Sequence, residues 1–160
     1  MARSDELSHF GAGRPRMVDV TDKQPHQRAA LAEALVQIPP AAQEALDRAT
    51  LPKGDPLVVA QLAGIAAAKQ TASLITLCHP LPLSWVDVRI ERCPEGLRVE
   101  AEVRTAAATG VEMEALTAAA VAALNLYDLL KAVSKGVVIG PLRLLEKRGG
   151  KSGSWSAGSP

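Results

Sequence analysis

Residues 85–104 read WVDVRIERCPEGLRVEAEVR, and this stretch decides the fold. Apolar and polar side chains alternate on both sides of the central CPEG, at 85–91 and again at 97–104. Because successive side chains of a strand point to opposite faces of a sheet, this alternation predicts two strands that each bury one face. Pro and Gly between them favour a turn. The stretch therefore predicts an antiparallel hairpin.

The chain after this hairpin predicts a long helix over 111–134 and a final strand over 137–145. Before the hairpin, residues 28–38 fit either a helix or a strand. Ala and Leu favour a helix, but alternate positions form one face of a strand and Pro39–Pro40 ends the segment abruptly, so we predict a strand.

The remaining elements lie toward the N-terminus. We predict a short strand at 17–21 and a short helix at 41–49. A stronger helix is predicted at 56–74, with Asp55 as the N-cap and Pro56 in the first turn. The order of strands and helices predicts an α+β protein, in which helices pack on one face of an antiparallel sheet.

The chain predicts a single domain between two flexible ends. Residues 1–16 are polar and rich in Gly, Arg and Pro, so we predict an N-terminal arm. Residues 148–160 are rich in Gly and Ser and predict a flexible tail. The catalytic domain is then expected to occupy residues 17–147.

The composition restricts the partners of this domain. Hydrophobic residues make up 48% of the chain but aromatic residues only 2%, so the core must be built from small aliphatic side chains. Such a core gains from a subunit interface, and we expect an oligomer. A net charge of +1 provides no general attraction for nucleic acid or a membrane surface. An RNA-binding sheet would also need exposed aromatic residues, which this chain largely lacks.

Two cysteines provide neither a disulfide framework nor a zinc site, so no metal centre is predicted. The N-terminal segment has no apolar core of the kind found in signal peptides, and we expect a soluble, cytoplasmic protein. Gly149–Gly153 superficially suggests a phosphate-binding P-loop. The interpretation fails because Leu145 stands where the first Gly belongs and no helix follows.

The helix predicted at 111–134 carries the most informative side chains. One stripe along it combines apolar residues with charged ends: Glu114, Thr117, Val121, Leu124, Asp128 and Lys131. Asp128 and Lys131 lie one turn apart and can pair, either as a solvated salt bridge or as a functional pair facing a subunit or a cleft. Burial there would lower the pKa of Lys131 and make it a usable general acid or base.

Other candidates each have a structural alternative. Thr109 and Glu112 fit a capping box, which would explain Glu112 without catalysis. Lys53 precedes a predicted helix N-terminus, where it could bind phosphate or simply mark the entry to the helix. Cys78 and His79 stand in an apolar loop, where His is more often a structural hydrogen bonder and nothing supports a Cys nucleophile.

Several blocks of the chain resemble one family, the cyclic pyranopterin monophosphate synthases of molybdenum cofactor biosynthesis. These blocks are RMVDVTDK (16–23), KGDPLVVAQLAGIAAAKQTASLITLCHPLPL (53–83), TGVEMEALTAAAVAALNLYDLLKAVSKG (109–136) and IGPLRLLEKRGGKSG (139–153). The resemblance implies a ferredoxin-like α+β fold and a homo-hexamer, a trimer of dimers with active sites at subunit interfaces. It implies a lyase that converts 3′,8-cyclo-7,8-dihydro-GTP to cyclic pyranopterin monophosphate and releases pyrophosphate. No resident cofactor is implied, and the resemblance leaves open whether Mg²⁺ accompanies the triphosphate.

The resemblance also implies roles for individual residues. Lys53 and Lys131 match the catalytic lysines of the family, with Asp128 as the acid–base partner of Lys131. The implied substrate-binding residues are Arg28, Lys69, Cys78, His79, Glu112 and Glu114, of which His79 and the two glutamates would orient the guanine-derived part and Arg28 and Lys69 would contact phosphate or substrate. The chain departs from the family pattern at His26, Thr76, Asn125 and Leu129–Leu130, none of which is a charged site residue. A relative that binds a guanine nucleotide without catalysis is the alternative function.

Overall fold

The computed structural model describes residues 10–11, 14–48, 54–151 and 153–158. The elements, in chain order, are β1 (Phe10–Gly11), β2 (Arg14–Pro15), β3 (His26–Gln37), α1 (Pro40–Asp47), α2 (Pro56–Ala68), α3 (Thr71–Leu74), β4 (Leu83–Cys93), β5 (Gly96–Ala107), α4 (Glu112–Leu130), β6 (Val138–Arg148) and β7 (Trp155–Ser156). The predicted hairpin is confirmed as β4 and β5, which pair from Leu83 to Thr105 around a turn at Pro94–Glu95.

The main sheet has five antiparallel strands in the order β4-β5-β3-β6-β7, and its helices pack against it as predicted for an α+β, ferredoxin-like fold. β3 is a strand, which confirms the prediction for residues 28–38. Pairing with β5 on one side and β6 on the other outweighs the helical preference of its alanines. Ala30, Ala32, Ala34 and Val36 are buried on the face that meets the helices.

The helical layer is built mainly by α2 and α4. α4 packs on β3, β5 and β6, while α2 packs on α4 and on the edge strand β4. The facing surfaces of the two helices carry small residues, and Gly64 of α2 meets Ala118 and Ala122 of α4. α4 is long and apolar enough to cross a membrane by length and composition alone. Ten of its residues are buried, as in the core helix of a globular domain.

The opposite face of the sheet, here called the charged face, carries ion pairs between strands. Its residues are Glu33, Asp87, Arg89, Arg98, Glu100, Glu102, Arg104, Arg143 and Arg148. Glu33 lies on the central strand, and only 5% of its side chain is exposed. Its carboxylate accepts a hydrogen bond from Nε of Arg143 at 2.7 Å and lies 3.6 Å from Nε of Arg98.

Two predictions of secondary structure were wrong. Residues 17–21 form no strand, because Oδ1 of Asp19 accepts hydrogen bonds from the backbone N–H and the hydroxyl of Thr21, and this turns the chain. The helix predicted at 56–74 ends at Ala68. After a break at Lys69–Gln70, the four-residue α3 follows, with the Thr71 hydroxyl donating to Ala68 O at 3.0 Å.

Both predicted chain ends contain short strands. β1 and β2 pair with each other within the predicted arm, and β7 adds to the main sheet through Lys147 and Glu146 of β6. Residues 1–9, 12–13, 152 and 159–160 lie outside the described part of the chain. The boundaries at 16 and 147 and the flexibility of the ends stay predictions.

Candidate active site

A cavity of about 380 Å³ opens at the N-terminal end of α4 and contains four of the predicted site residues. Below it is called the acid cavity, after the two carboxyl groups in its wall. Its lining consists of Val18, Val20, Lys23, Leu77, Cys78, His79, Leu81, Thr109, Gly110, Glu112, Met113 and Glu114. The fold therefore brings together the loop after α3 and the first turn of α4, which are distant in sequence.

The two glutamates stand in the first turn of α4, where the positive end of the helix dipole favours carboxylates. The predicted capping box is wrong. The helix begins at Glu112 with Val111 at the N-cap, and no side-chain hydrogen bond caps it, so Thr109 takes no part. Gly110 leaves the space that the Glu112 carboxyl occupies, because a Cβ atom at Gly110 would overlap that carboxyl. The Glu112 side chain thus belongs to the cavity wall.

Glu114 is the buried carboxyl of the site, with 4% of the residue exposed. Burial raises the pKa of its side chain, and the nearby charge of Glu112 raises it further, although a backbone hydrogen bond partly opposes both effects. A carboxyl of this kind holds its proton to a higher pH than an exposed glutamate. The arrangement therefore places a carboxyl with a raised pKa in a cavity wall, where it is suited to acid–base chemistry.

Cys78 and His79 enter the cavity from the loop after α3. Cys78 is half-buried, and burial raises the pKa of its thiol, with a smaller contribution from the Glu114 charge. A raised pKa disfavours the thiolate, so the structure adds no support for a Cys78 nucleophile. His79 is half-buried beside it and lines the same space as Glu112 and Glu114.

Lys69 lies at the C-terminal end of α2, where the helix stops earlier than predicted. It lines a neighbouring cavity of about 340 Å³ together with Glu114 and Leu81, both of which also line the acid cavity. Lys69 therefore lines a cavity that adjoins the acid cavity at Glu114 and Leu81.

Arg28 makes contacts that were not expected for a phosphate-binding residue. Its Nε donates to Ala107 O and its Nη2 to Ala108 O, each at 3.0 Å. These carbonyls belong to the segment that leads from β5 into the first turn of α4. The guanidinium thus positions the chain that carries Glu112, and Gly150 leaves room for it, since a Cβ atom there would overlap Nη1.

Asp128 and Lys131 form an ion pair of 2.5 Å at the other end of α4. The prediction that burial against a subunit or in a cleft lowers the pKa of Lys131 stays a prediction. Within one chain, about half of each side chain is exposed, and the hydrogen bond to Asp128 raises the pKa of the lysine. Asp128 comes fourteen positions after Glu114 along α4, which corresponds to a rise of about 21 Å. One chain therefore does not place this pair in its own acid cavity.

Lys53 falls outside the described residues, so its placement stays a prediction. The helix entry beside it is as predicted, because Oδ1 of Asp55 accepts a hydrogen bond from Leu57 N at 2.9 Å and Pro56 stands in the first turn of α2. Gly54 has a φ of 83°, which suits a glycine at this turn.

Sequence reasoning missed Lys23 and Met113, which also line the acid cavity. Lys23 follows the segment that was predicted as a strand, and its N–H donates to Val20 O in a turn instead. The signal that could have found it is the Asp-Val-Thr sequence at 19–21, since Asp followed two residues later by Thr favours a turn. No three His, Cys, Asp or Glu side chains are grouped as metal ligands within the described ranges.

Comparison with known proteins identifies relatives over nearly the whole chain. A family model described as the MoaC family matches residues 17–150. A cyclic pyranopterin monophosphate synthase of Deinococcus radiodurans is 54% identical over 95% of this chain and 90% of its own. Enzymes of the same name from Corynebacterium efficiens and Nostoc sp. are 53% and 52% identical, over 94% and 98% of this chain and 98% and 95% of theirs.

Proposed function

This chain belongs to the MoaC family, and we propose that it acts as a cyclic pyranopterin monophosphate synthase in molybdenum cofactor biosynthesis. The observation that carries the proposal is a sequence identity above 50% with enzymes of that name, along almost their full length. The acid cavity, with its buried carboxyl and half-buried imidazole, supports an acid–base reaction on a small molecule.

The proposed reaction is a lyase reaction on a nucleotide. The substrate is 3′,8-cyclo-7,8-dihydro-GTP, and the products are cyclic pyranopterin monophosphate and pyrophosphate. The base must open and reclose to form the pyranopterin, which requires proton transfers. Closure of the cyclic phosphate expels pyrophosphate, whose developing negative charge needs cations near it. We propose no resident cofactor, and Mg²⁺ would arrive with the triphosphate.

The proposed roles follow from where the side chains lie. Glu114, whose pKa is raised by burial, would exchange a proton with the guanine-derived part, and Glu112 and His79 would bind and orient that part. Lys69, in the adjoining cavity that Glu114 also lines, would contact the phosphates. Cys78 contributes to the wall. Arg28 would act by holding the segment before Glu112.

The catalytic lysines would complete this site from another subunit. Asp128 and Lys131 lie about 21 Å along α4 from Glu114, too far for the side chains of one chain to meet. α2 has Gln61 as its one polar side chain, and Val58, Val59 and Leu62 are exposed on its surface. An apolar face of this kind is typical of a subunit interface. This face supports a subunit interface. From the resemblance to the family, we propose that the assembly is a homo-hexamer, a trimer of dimers with shared active sites, to which Lys53 would also contribute.

The proposal also covers where the enzyme acts. A cytoplasmic location would suit a soluble biosynthetic enzyme, with no membrane or nucleic acid as partner. Its one small-molecule partner would be the nucleotide substrate.

The decisive experiment is product formation from enzymatically prepared 3′,8-cyclo-7,8-dihydro-GTP, followed through pyranopterin and pyrophosphate together. Appearance of both in equal amounts is expected. The alternative is a non-catalytic relative that binds a guanine nucleotide. It predicts that 3′,8-cyclo-7,8-dihydro-GTP binds but that neither product forms. Retention of His79, Glu112, Glu114, Asp128 and Lys131 argues against that alternative.

A further inference from the structure

The chain turns directly after β6, and this turn lies against the start of β3. β6 ends at Arg148, which pairs with Ala29 of β3, and Gly149 and Gly150 follow with φ values of 92° and 77°. Residues with a side chain rarely adopt a φ in this range, so glycine suits both positions. The N–H of Gly153 donates to Gly150 O at 3.2 Å. Gly149 and Gly150 are below called the glycine turn.

The two residues of the glycine turn meet different groups. A Cβ atom at Gly149 would overlap the backbone oxygen of Gln27, so a side chain there would push against a strand. A Cβ atom at Gly150 would overlap Nη1 of Arg28 and lie 3.1 Å from its Cζ. The guanidinium is the mobile end of a long side chain, so it can move aside while the backbone stays in place. A side chain at Gly150 would therefore displace the guanidinium.

The Arg28 guanidinium links the glycine turn to the wall of the acid cavity. Its Nε donates to Ala107 O and its Nη2 to Ala108 O, and both bonds are partly buried. The next two residues along the chain, Thr109 and Gly110, line the acid cavity. Hydrogen bonds from a charged donor are about twice as strong as those between neutral groups. The guanidinium therefore fixes the backbone that leads directly into the cavity wall.

We propose that Gly150 is a positioning residue for the acid cavity. Because it has no side chain, the Arg28 guanidinium can stand where two donors of its rigid fork reach both carbonyl oxygens. The end of β6 is in this way coupled to the segment that joins β5 to α4. The importance of this coupling for turnover rests on the proposed function, whereas the coupling itself does not.

Gly153 provides a matched control for this proposal. Its φ of 66° is also positive, so an alanine there has a backbone cost similar to that at Gly150. Among the described residues, no atom beyond its chain neighbours lies within 4 Å of a Cβ atom at Gly153. If Gly150 served only the backbone of the turn, Gly150→Ala and Gly153→Ala would have the same effects. The proposal predicts that they differ at residues 107–110.

The test is amide hydrogen exchange of the full-length protein, followed by mass spectrometry in a peptide that spans residues 105–115. This peptide contains the end of β5 and the Ala115 N–H, which donates to Val111 O at 3.1 Å. Gly150→Ala should speed exchange in it by about tenfold, because the segment loses the bonds from the guanidinium. Gly153→Ala should leave the rate unchanged. Thermal unfolding checks that both variants are folded.

Arg28→Ala tests the same link without touching the glycine turn. It removes the guanidinium and should speed exchange of the 105–115 peptide to a similar extent. Adding Gly150→Ala to Arg28→Ala should change the rate no further, since there is then no guanidinium to displace. Additive effects of the two substitutions would overturn the proposal, because Gly150 would then act on the segment by another route.

Unchanged exchange of this peptide in Gly150→Ala would overturn the proposal, and so would equal acceleration in Gly150→Ala and Gly153→Ala. Turnover of 3′,8-cyclo-7,8-dihydro-GTP should fall by about tenfold in Gly150→Ala and stay at the wild-type rate in Gly153→Ala. Wild-type turnover in Gly150→Ala would overturn the positioning role. A wild-type protein that forms no product would contradict the proposed function, and the exchange rates would still decide whether Gly150 positions the segment.

Discussion

Gly64 of α2 faces the backbone of α4 so closely that a Cβ atom on it would lie 2.9 Å from the carbonyl oxygen of Ala118. The same atom would lie 3.2 Å from Cβ of Ala122. Backbone cannot move aside as a flexible side chain can, so a methyl group there would push the two helices apart. Because Gly64 has no side chain, α2 can pack closely against α4, the helix that carries Glu112 and Glu114.

Gly64→Ala should therefore destabilise the protein. Overpacking of a close contact costs roughly 1–3 kcal/mol, and the better helix propensity of Ala offsets only about 1 kcal/mol of it. Thermal unfolding measures the effect, with Gly158→Ala as control because no atom lies within 4 Å of a Cβ at that position. A melting temperature unchanged or raised in Gly64→Ala would show that the helices can separate freely.

Glu33→Gln should also lower the free energy of unfolding, by about 1–3 kcal/mol. Glu33 is nearly buried between Arg143 and Arg98, and its loss leaves both guanidiniums without their carboxylate. The exposed pair of Glu44 and Arg48 on α1 provides the control, since Glu44→Gln should cost less than about 1 kcal/mol. Urea denaturation measures the free energy of unfolding of both variants. If Glu33→Gln and Glu44→Gln lowered it equally, the buried position of Glu33 on the central strand would not matter to stability.

The stability of the protein should depend on the protonation of Glu114. Its pKa is raised in the folded state, so its contribution is fully present below the unfolded pKa of a glutamate, about 4.3, and is lost as the pH rises through the folded value. Glu114→Gln keeps the shape but cannot ionise. The variant should melt higher than the wild type at neutral pH, with the difference disappearing in acid. A difference independent of pH would contradict burial as the cause.

Lys131→Ala should abolish turnover and leave the melting temperature unchanged. The ion pair with Asp128 is half-exposed, so it contributes little to the fold of one chain. Arg48→Ala removes a similar exposed helical ion pair outside the site and should keep full activity. Turnover of 3′,8-cyclo-7,8-dihydro-GTP is measured for both. A wild-type rate in Lys131→Ala would remove that lysine from the proposed mechanism.

Mixed oligomers test whether the two ends of α4 serve different sites. Neither Glu114→Gln nor Lys131→Ala should be active alone. If each site takes its acid cavity from one chain and its lysine from another, unfolding and refolding the two variants together should restore about one quarter of the sites. Refolding each variant by itself is the control. An inactive mixture whose subunits have exchanged would contradict shared sites.

The sequence predicted the sheet well wherever alternation decided it. Residues 85–91, 97–104 and 138–145 lie in strands, and so do residues 28–37 although their alanines favour a helix. Val137 and Ile38, which were also predicted in strands, lie just outside them. The prediction failed where a local side-chain bond decided the conformation. Asp19 turns the chain at 17–21, and the break after Ala68 depends on a short helical turn that periodicity does not reveal.

The sequence predicted which residues form the candidate site better than it predicted how they are arranged. The resemblance gave Cys78, His79, Glu112 and Glu114, and the fold places all four around one cavity. The stripe on α4 correctly put Glu114 and Asp128 on one side of the helix, but a helical stripe says nothing about which subunit each end faces. That information lies in the packing of chains, which no single sequence pattern contains.

The length of α4 sets the distance between the carboxyl groups at its two ends. Glu114 near its first turn and Asp128 near its last share one side of the helix, with about 21 Å between them. Inserting or deleting a single residue between them would rotate one end by about 100° relative to the other and shift it by about 1.5 Å. We therefore expect α4 to tolerate no change in its length between these two residues.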